Sequence, residues 1–231
     1  MKKNNFYTGF NYHQDFKQGM SFKYKKVSEL ITNDQSILEI GCHTGDFGKV
    51  LKMKGNKVWG VEINSDAAKK ARPFYEKILI GDIEEPDIWD AMSQKFDVIL
   101  FLDVLEHLVN PWKVLVKTKE FLNSNGCLLI TLPNIAFYAV RRSLLFGRFD
   151  YRKSGILDRS HLRFFTFYSA KKMIQDCGYG IQEWYATLSE LPFEHRLLFL
   201  GKFYGKCKPL FLKAFPNLFG AVMLFKTIPV K

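Results

Sequence analysis

The sequence predicts an α/β protein built on a doubly wound, mostly parallel sheet. Short apolar segments of strand length alternate with helical segments along most of the chain. Several of the apolar segments end in a carboxylate followed by turn residues, as in S-I-L-E-I-G-C-H-T-G-D-F-G from Ser36 to Gly48. Near-continuous apolar strands are typical of a sheet covered by helices on both faces. A chain of 231 residues with 47% hydrophobic content favours one domain over residues 1–231.

Seven strands are predicted, and helices separate the first five of them. The predicted strands lie at 37–40, 56–63, 77–82, 98–102, 127–132, 180–187 and 219–228. The predicted helices lie at 46–54, 66–72, 86–92 and 169–176, with another that starts at Pro111 and is ended by Gly126.

The first strand leads into a turn that contains Gly41, Gly45 and Gly48. Glycines let the backbone turn tightly and approach a ligand closely. The dinucleotide pattern G-x-G-x-x-G would need glycine where this chain has His43 and Asp46, which disfavours an NAD site. Written as E-x-G-x-x-x-G-x-x-G, the turn resembles the first motif of class I S-adenosylmethionine (SAM) methyltransferases, with His43 in place of the middle glycine.

Three further strand ends follow at the spacing of that family. Glu62 ends the second strand, where a carboxylate accepts two hydrogen bonds from a ribose diol of either SAM or NAD. The third strand ends in Gly-Asp at Asp82, where methyltransferases use an acid to bind the adenine amine. The segment F-D-V-I-L-F-L-D-V-L-E-H-L, followed by Pro111, resembles the fourth motif of the ubiquinone O-methyltransferase branch. Glu39, Glu62, Asp82 and Asp103 should therefore meet at the ligand-binding edge of the sheet.

The resemblance implies a Rossmann-like methyltransferase fold, an antiparallel C-terminal strand beside its predecessor, and SAM as the cofactor. Glu39 and the Gly41–Gly45 loop would hold the methionine end, Glu62 the ribose, and Asp82 with Ile83 the adenine. The predicted cofactor-binding residues are Glu39, Gly41, Cys42, His43, Gly45, Glu62, Ile63, Asp82, Ile83, Leu102 and Asp103.

A sulfonium is an activated methyl donor, so the enzyme must mainly align donor and acceptor and exclude water. A hydroxyl acceptor also needs a base, and His107 and His161 are the candidate catalytic residues. Either histidine could instead be structural, and an amine acceptor that binds neutral needs no base.

The segment 133–166 is predicted to be a substrate lid, because it follows the fifth strand at the carboxyl edge. Its candidate substrate-binding residues are Asn134, Arg159 and Arg163. Arginine forks recognise phosphate and carboxylate, although a solvated basic face would have the same composition. The string D-R-S-H-L-R-F-F-T resembles bacterial methyltransferases of cell-surface sugar and glycan pathways. This resemblance implies a sugar or glycan hydroxyl as the acceptor.

The net charge of +11 is concentrated towards the C-terminus, where no Asp or Glu follows Glu194. The basic aromatic insertion, residues 188–218, is predicted to contact anionic lipid headgroups peripherally. A core or homodimer interface is the alternative. Nucleic acid is disfavoured because no recognised binding module is present. Residues 1–34 are expected to cap the cofactor entrance.

The start M-K-K-N-N-F-Y lacks a signal-peptide apolar region, so a cytoplasmic protein is expected, with possible contact at the inner membrane face. The four cysteines lack a C-x-x-C pair, and no metal site is predicted. Together these observations predict a SAM-dependent methyltransferase acting on a small or lipid-linked acceptor. The alternatives are a non-catalytic SAM-binding or assembly protein and an NAD-dependent oxidoreductase.

Overall fold

A computed structural model describes residues 20–187, 210 and 212–230, and within them it shows a seven-stranded sheet. The strands are β1 Ser36–Ile40, β2 Lys57–Glu62, β3 Lys77–Ile80, β4 Phe96–Leu102, β5 Leu122–Pro133, β6 Tyr179–Thr187 and β7 Val222–Pro229. Their order in the sheet is β3-β2-β1-β4-β5-β7-β6, in which β7 is antiparallel to both neighbours and the pairs among β1–β5 are parallel. The predicted doubly wound sheet with its antiparallel C-terminal strand is confirmed.

Helices connect the strands and cover both faces of the sheet. In chain order they are α1 Phe22–Leu30, α2 Asp46–Met53, α3 Ser65–Ala71, α4 Pro86–Asp90, α5 Pro111–Thr118, α6 Tyr138–Leu145, α7 Phe167–Asp176 and α8 Pro216–Phe219. Short 3₁₀ turns lie at Arg72–Phe74, Leu105–His107 and Lys119–Phe121. Alternate residues of β4 belong to different hydrophobic clusters, with Ile99 on one face and Leu100 on the other. This double burial explains why the strand is apolar throughout.

The fifth strand begins earlier than the sequence predicts. Helix α5 ends at Thr118, and β5 starts at Leu122, which pairs with Phe96 of β4. Gly126 therefore does not end a helix but lies within the strand, beside an irregularity in the β4–β5 pairing. A Cβ at Gly126 would lie 3.0 Å from the carbonyl oxygen of Phe96, so glycine allows the close approach of two backbones there.

Helix α7 begins at Phe167, two residues before the predicted start. The side chain of Thr166 accepts a hydrogen bond from the backbone N–H of Ser169, and the Ser169 hydroxyl oxygen accepts the backbone N–H of Thr166, which completes a capping box. Helix α6 lies within the predicted lid, where the sequence analysis placed no helix. The final strand starts at Val222, because Pro216–Phe219 forms a short helix instead.

The carboxyl ends of β1 and β4 are adjacent, and the chain winds away from them in opposite directions. Open α/β sheets bind ligands at such a switch point. Residues 188–209 and 211, which make up most of the predicted basic aromatic insertion, and residues 1–19 of the predicted cap lie outside the described residues. Among the helices in the described ranges, none is long and apolar enough to cross a membrane.

Candidate active site

A cavity of about 300 Å³ opens at the carboxyl edge of the sheet, beside the ends of β1 and β4. Its volume lies at the lower end of the range for small-molecule sites. Its wall contains ten of the sequence-predicted site residues: Gly41, His43, Glu62, Ile63, Asp82, Ile83, Leu102, Asp103, His107 and Arg159. The structure thus brings together residues that are separated by more than 100 positions in the chain.

The turn after β1 has a left-handed backbone at Gly41, His43 and Gly45, with φ angles of 76°, 46° and 83°. A Cβ at Gly41 would lie 2.7 Å from the Val104 side chain, which also lines the cavity. The backbone conformation explains why a glycine would suit the position of His43. His43 lies at the cavity wall, and its Nδ1 is 3.2 Å from the Thr44 hydroxyl.

Glu62 connects the ends of two strands through its carboxylate. One oxygen accepts the backbone N–H of His43 at 2.7 Å, and the other accepts the N–H of Asn64 at 2.9 Å. Burial raises the pKa of Glu62, and these backbone hydrogen bonds oppose the rise. A carboxylate has about four acceptor positions, so each oxygen retains one for a further donor. Glu62 can therefore accept both hydroxyls of a diol in the cavity.

Asp103 follows β4 and has a left-handed backbone, with φ 57°. Its carboxylate forms an ion pair with Lys23 of α1 and accepts a hydrogen bond from the Thr131 hydroxyl at 2.7 Å. Burial alone would raise the pKa of Asp103, but the charge and hydrogen bond of Lys23, together with Thr131, hold it below its usual value. Helix α1 is therefore attached to the acidic edge of the cavity.

Asp82 and Ile83 form the part of the cavity wall that follows β3. One Asp82 oxygen accepts the backbone N–H of Glu84 at 3.0 Å, and the indole N–H of Trp89 donates to the Ile83 carbonyl at 2.8 Å. These contacts fix the loop with a carboxylate on the cavity wall.

Glu39 and Cys42 do not line the main cavity but a smaller neighbouring one of about 30 Å³, together with His43. The Tyr75 hydroxyl donates to Glu39 at 2.7 Å. Burial raises the pKa of Glu39 to about 8, although the hydrogen bond from Tyr75 lowers it. The thiol of Cys42 is buried against Gly60, so its small size suits the packing.

His107 and His161 lie edge to face, with ring centroids 4.8 Å apart. Nδ1 of His107 is 3.2 Å from the Ser160 carbonyl oxygen, and Nδ1 of His161 is 3.1 Å from that of Ile156. Since a carbonyl only accepts, each Nδ1 is the protonated nitrogen and each Nε2 presents a lone pair. Burial lowers the pKa of both imidazoles. His107 lines the main cavity, whereas His161 is not part of its wall.

Glu106 is a site residue that the sequence analysis missed. Its side chain is 1% exposed, neither carboxyl oxygen has a hydrogen-bond partner in the described part of the chain, and one oxygen lies 4.0 Å from Nε2 of His161. Its backbone carbonyl accepts the N–H groups of Leu162 and Arg163, which fastens the predicted lid to the turn after β4. Its place beside His107 in D-V-L-E-H-L was the available signal.

The three predicted substrate-binding residues have different positions. Arg159 lines the cavity, next to Lys153, Asp158 and Ser160, which the sequence analysis did not single out. Arg163 lies outside the cavity wall and donates to the Val109 carbonyl at 2.7 Å.

Asn134 also lies outside the cavity wall, and it is fully buried. Its amide donates to the carbonyls of Asn217 and Gly220, and its oxygen accepts the N–H of Ala136. These contacts give Asn134 a structural role in holding the loop after β5.

Comparison with known proteins identifies related sequences and folds. Residues 12–183 match the sequence profile of a family described as "Methyltransferase domain". The ubiquinone biosynthesis O-methyltransferase of Glaesserella parasuis serovar 5 is 30% identical over 110 residues, which cover 43% of this chain and 46% of that protein. The protein of the same name from Psychrobacter arcticus is 24% identical over 180 residues, which cover 71% of this chain and 66% of that one. The chain thus matches about half to two thirds of the length of these curated relatives.

Among solved structures, the plantazolicin methyltransferase BamL, in complex with a triazolic desmethylPZN analog and SAH, has a similar fold. Its TM-score is 0.63 at 15% identity, and the match covers 95% of this chain and 89% of that one. At this identity the likeness concerns the fold.

Proposed function

Because the chain belongs to the family of class I SAM-dependent methyltransferases, we propose that it transfers the methyl group of SAM to a hydroxyl group of a sugar or glycan. The observation that supports this acceptor class is the composition of the cavity wall. The acidic strand ends lie on one part of the wall, and Lys153, Asp158, Arg159 and Ser160 of the segment 133–166 form another. Such mixed polar groups suit an acceptor with several hydroxyls and a nearby phosphate or carboxylate.

When bound, SAM supplies a methyl group already activated by its positive sulfur. Under this proposal Glu62 binds the ribose diol, Asp82 and Ile83 bind the adenine, and the turn after β1 lies against the methionine end. The chain must then hold the acceptor oxygen in line and assist the loss of its proton. Glu106, His107 and His161 are suited to this activation: His107 lines the cavity, and Glu106 and His161 lie next to it.

The surface of α6 supports a lipid-linked form of the acceptor. Leu145 is 85% exposed and Phe146 is 76% exposed, and they lie beside the exposed Arg141 and Arg142. An apolar patch with adjacent cations suits a lipid chain and its anionic headgroup. The segment that includes α6 also contributes to the cavity wall, so one segment could contact both parts of such an acceptor.

A phenolic hydroxyl is the second candidate acceptor. It is favoured by the resemblance of the chain to ubiquinone biosynthesis O-methyltransferases. A phenol also requires loss of a proton, so the same histidine cluster would serve either acceptor.

Labelled SAM incubated with the protein and fractionated cell extract tests the proposal. Mass spectrometry should find the label as a methyl ether in a sugar-containing product of the aqueous or the lipid fraction. The label in an aromatic product would favour the second candidate instead. If no fraction yields a labelled product or SAH, the proposed methyl transfer is refuted.

Arg159→Gln should raise the KM for an anionic acceptor by about tenfold and leave SAM affinity nearly unchanged, because a charge-assisted hydrogen bond contributes about 1.5–3 kcal/mol. Arg163→Gln is the matched control, since that arginine lies outside the cavity and contacts Val109. Steady-state kinetics and calorimetry measure the two effects. An equal rise of KM in both variants would contradict the assignment of Arg159.

His43→Gly should keep near-native SAM affinity, because the left-handed backbone and the N–H donated to Glu62 are available to glycine. His43→Val is the control: a β-branched residue is strained at this positive φ and should lower stability by about 1–2 kcal/mol. Thermal unfolding and calorimetry measure both variants. A large loss of SAM affinity in His43→Gly would mean that the imidazole itself contacts the cofactor.

A further inference from the structure

Three side chains of types that ligate metals converge beside the cavity from two distant parts of the chain. Glu106 and His107 lie on the 3₁₀ turn after β4, and His161 lies in the segment between α6 and α7. One ligand atom from each of the three lies within 4.8 Å of the others. The hydrogen bonds that the Glu106 carbonyl accepts from the backbone of this segment hold the two parts together.

A hydrogen bond to the backbone fixes the orientation of each imidazole ring. Each Nδ1–H donates to a backbone carbonyl, that of Ser160 for His107 and that of Ile156 for His161. This is the arrangement that fixes the tautomer of metal-bound histidines and leaves Nε2 as the donor atom. Both His107 and His161 have this arrangement.

The buried carboxyl group of Glu106 lacks the hydrogen bonds that buried polar groups normally make, as far as the described residues show. It is buried, and neither oxygen has a hydrogen-bond partner in the described residues. Oδ2 of Asp158, a residue of the cavity wall, is likewise buried without a hydrogen-bond partner. Buried polar groups without partners are costly, and an ion is one of the recognised explanations for them. A cation next to Glu106 would give its carboxyl oxygens a partner.

We propose that Glu106, His107 and His161 bind one divalent first-row transition-metal ion through a carboxylate oxygen and two Nε2 atoms. Two imidazoles and one carboxylate suit zinc, manganese, iron or cobalt better than magnesium or calcium. The cysteine spacing led the sequence analysis to expect no metal, and ligands at 106–107 and 161 are too far apart in sequence to form a spacing motif.

The metal would also specify how the acceptor is activated, and this role rests on the proposed methyl transfer. Three protein ligands leave coordination positions open, and His107 lines the cavity where the acceptor would lie. A bound hydroxyl loses its proton to solvent more readily because the cation lowers its pKa. Its oxygen then bonds to the methyl carbon while the carbon–sulfur bond breaks, and the electron pair stays on sulfur to give neutral SAH.

Metal titration of tag-free, chelator-treated protein tests the site. Calorimetry with Mn²⁺ and Zn²⁺, and visible absorption with Co²⁺, should show about one ion per chain. Glu106→Gln and His161→Ala should each weaken binding by at least about tenfold. His43→Gly removes a different histidine of the same cavity and should retain the ion. Circular dichroism establishes that each variant is folded.

Wild-type protein that takes up no ion, or variants that bind as tightly as wild type, would overturn the metal site. The labelled-product assay tests methyl transfer independently, so that the absence of a metal site can be distinguished from the absence of methyl transfer. Transfer by metal-free protein that is unchanged on adding metal would refute the metal's role in activation. Loss of transfer on chelation, restored by metal with unchanged SAM affinity, supports it. A bound ion without any methyl product would support the metal site and refute the proposed function.

Discussion

Glu62→Ala should weaken SAM binding by about 1.5–3 kcal/mol, which is a roughly 10- to 150-fold rise in Kd. The carboxylate can offer two acceptor positions to the ribose diol, and hydrogen bonds to a charged acceptor are stronger than neutral ones. Its loss also leaves the backbone N–H groups of His43 and Asn64 without their acceptor, which loosens the turn next to the cofactor. We expect the upper part of the range for this reason.

Calorimetry with SAM and with SAH measures the loss. Asp66→Asn is the matched control, because this acid lies in the first turn of α3 only a few residues away and is exposed, paired with Lys69 at 3.0 Å. It should change SAM affinity by no more than about 0.5 kcal/mol. Equal losses in the two variants would show that general charge, not the diol contact, is responsible. A wild-type preference for NAD over SAM would contradict the ribose assignment altogether.

The strand ends were predictable because each depends on a local pattern. An apolar strand buried on both faces followed by a carboxylate, as at Glu62 and Asp103, fixes both the element and the edge on which the acid lies. Position along the sequence does not determine which acids share a cavity. Glu39 has the same local pattern as Glu62, yet its carboxylate accepts from Tyr75 beside a separate small cavity.

The proposed acceptor side could not be predicted to the same level, because it depends on tertiary contacts of the long connection between β5 and α7. Arg159 and Arg163 are four positions apart in one motif, and only Arg159 lines the cavity. Asn134 resembles a polar site residue in sequence, but three hydrogen bonds within the fold use its amide. Glu106 was missed because its carboxyl group lies near His161 only in the folded protein, and this proximity cannot be read from the sequence.

Desolvated carboxyl groups lie on the side of the site where we propose that the cofactor binds. Burial raises the pKa of both Glu39 and Glu62, and their mutual repulsion raises that of Glu39 further. Such an arrangement disfavours extra negative charge and favours a ligand with positive charge, which matches SAM with its sulfonium and ammonium groups.

The free energy of unfolding of the ligand-free wild type should fall as the pH rises from about 5 to about 8.5, and Glu39→Gln should abolish this fall. The folded protein holds the Glu39 proton up to a pKa of about 8, whereas the unfolded chain releases it near 4.5. Between these values unfolding releases a proton, so the free energy of unfolding falls with rising pH by up to about 1.4 kcal/mol per pH unit. Glutamine can still accept the Tyr75 hydrogen bond and has no proton to lose.

The two proteins should therefore unfold similarly near pH 5, and the variant should be more stable by a few kcal/mol at pH 8.5, since the difference accumulates over the window between the two pKa values. Denaturant unfolding at a series of pH values measures this, and other titrating groups cancel in the difference between the proteins. Glu76→Gln, an exposed acid with the same chemical change, should give a nearly constant difference across that window. A stability difference for Glu39→Gln that does not grow with pH would contradict this prediction. It would mean that the Glu39 carboxyl group is already ionised in the folded protein at neutral pH. Its negative charge would then be available to the cationic cofactor without loss of a proton on binding.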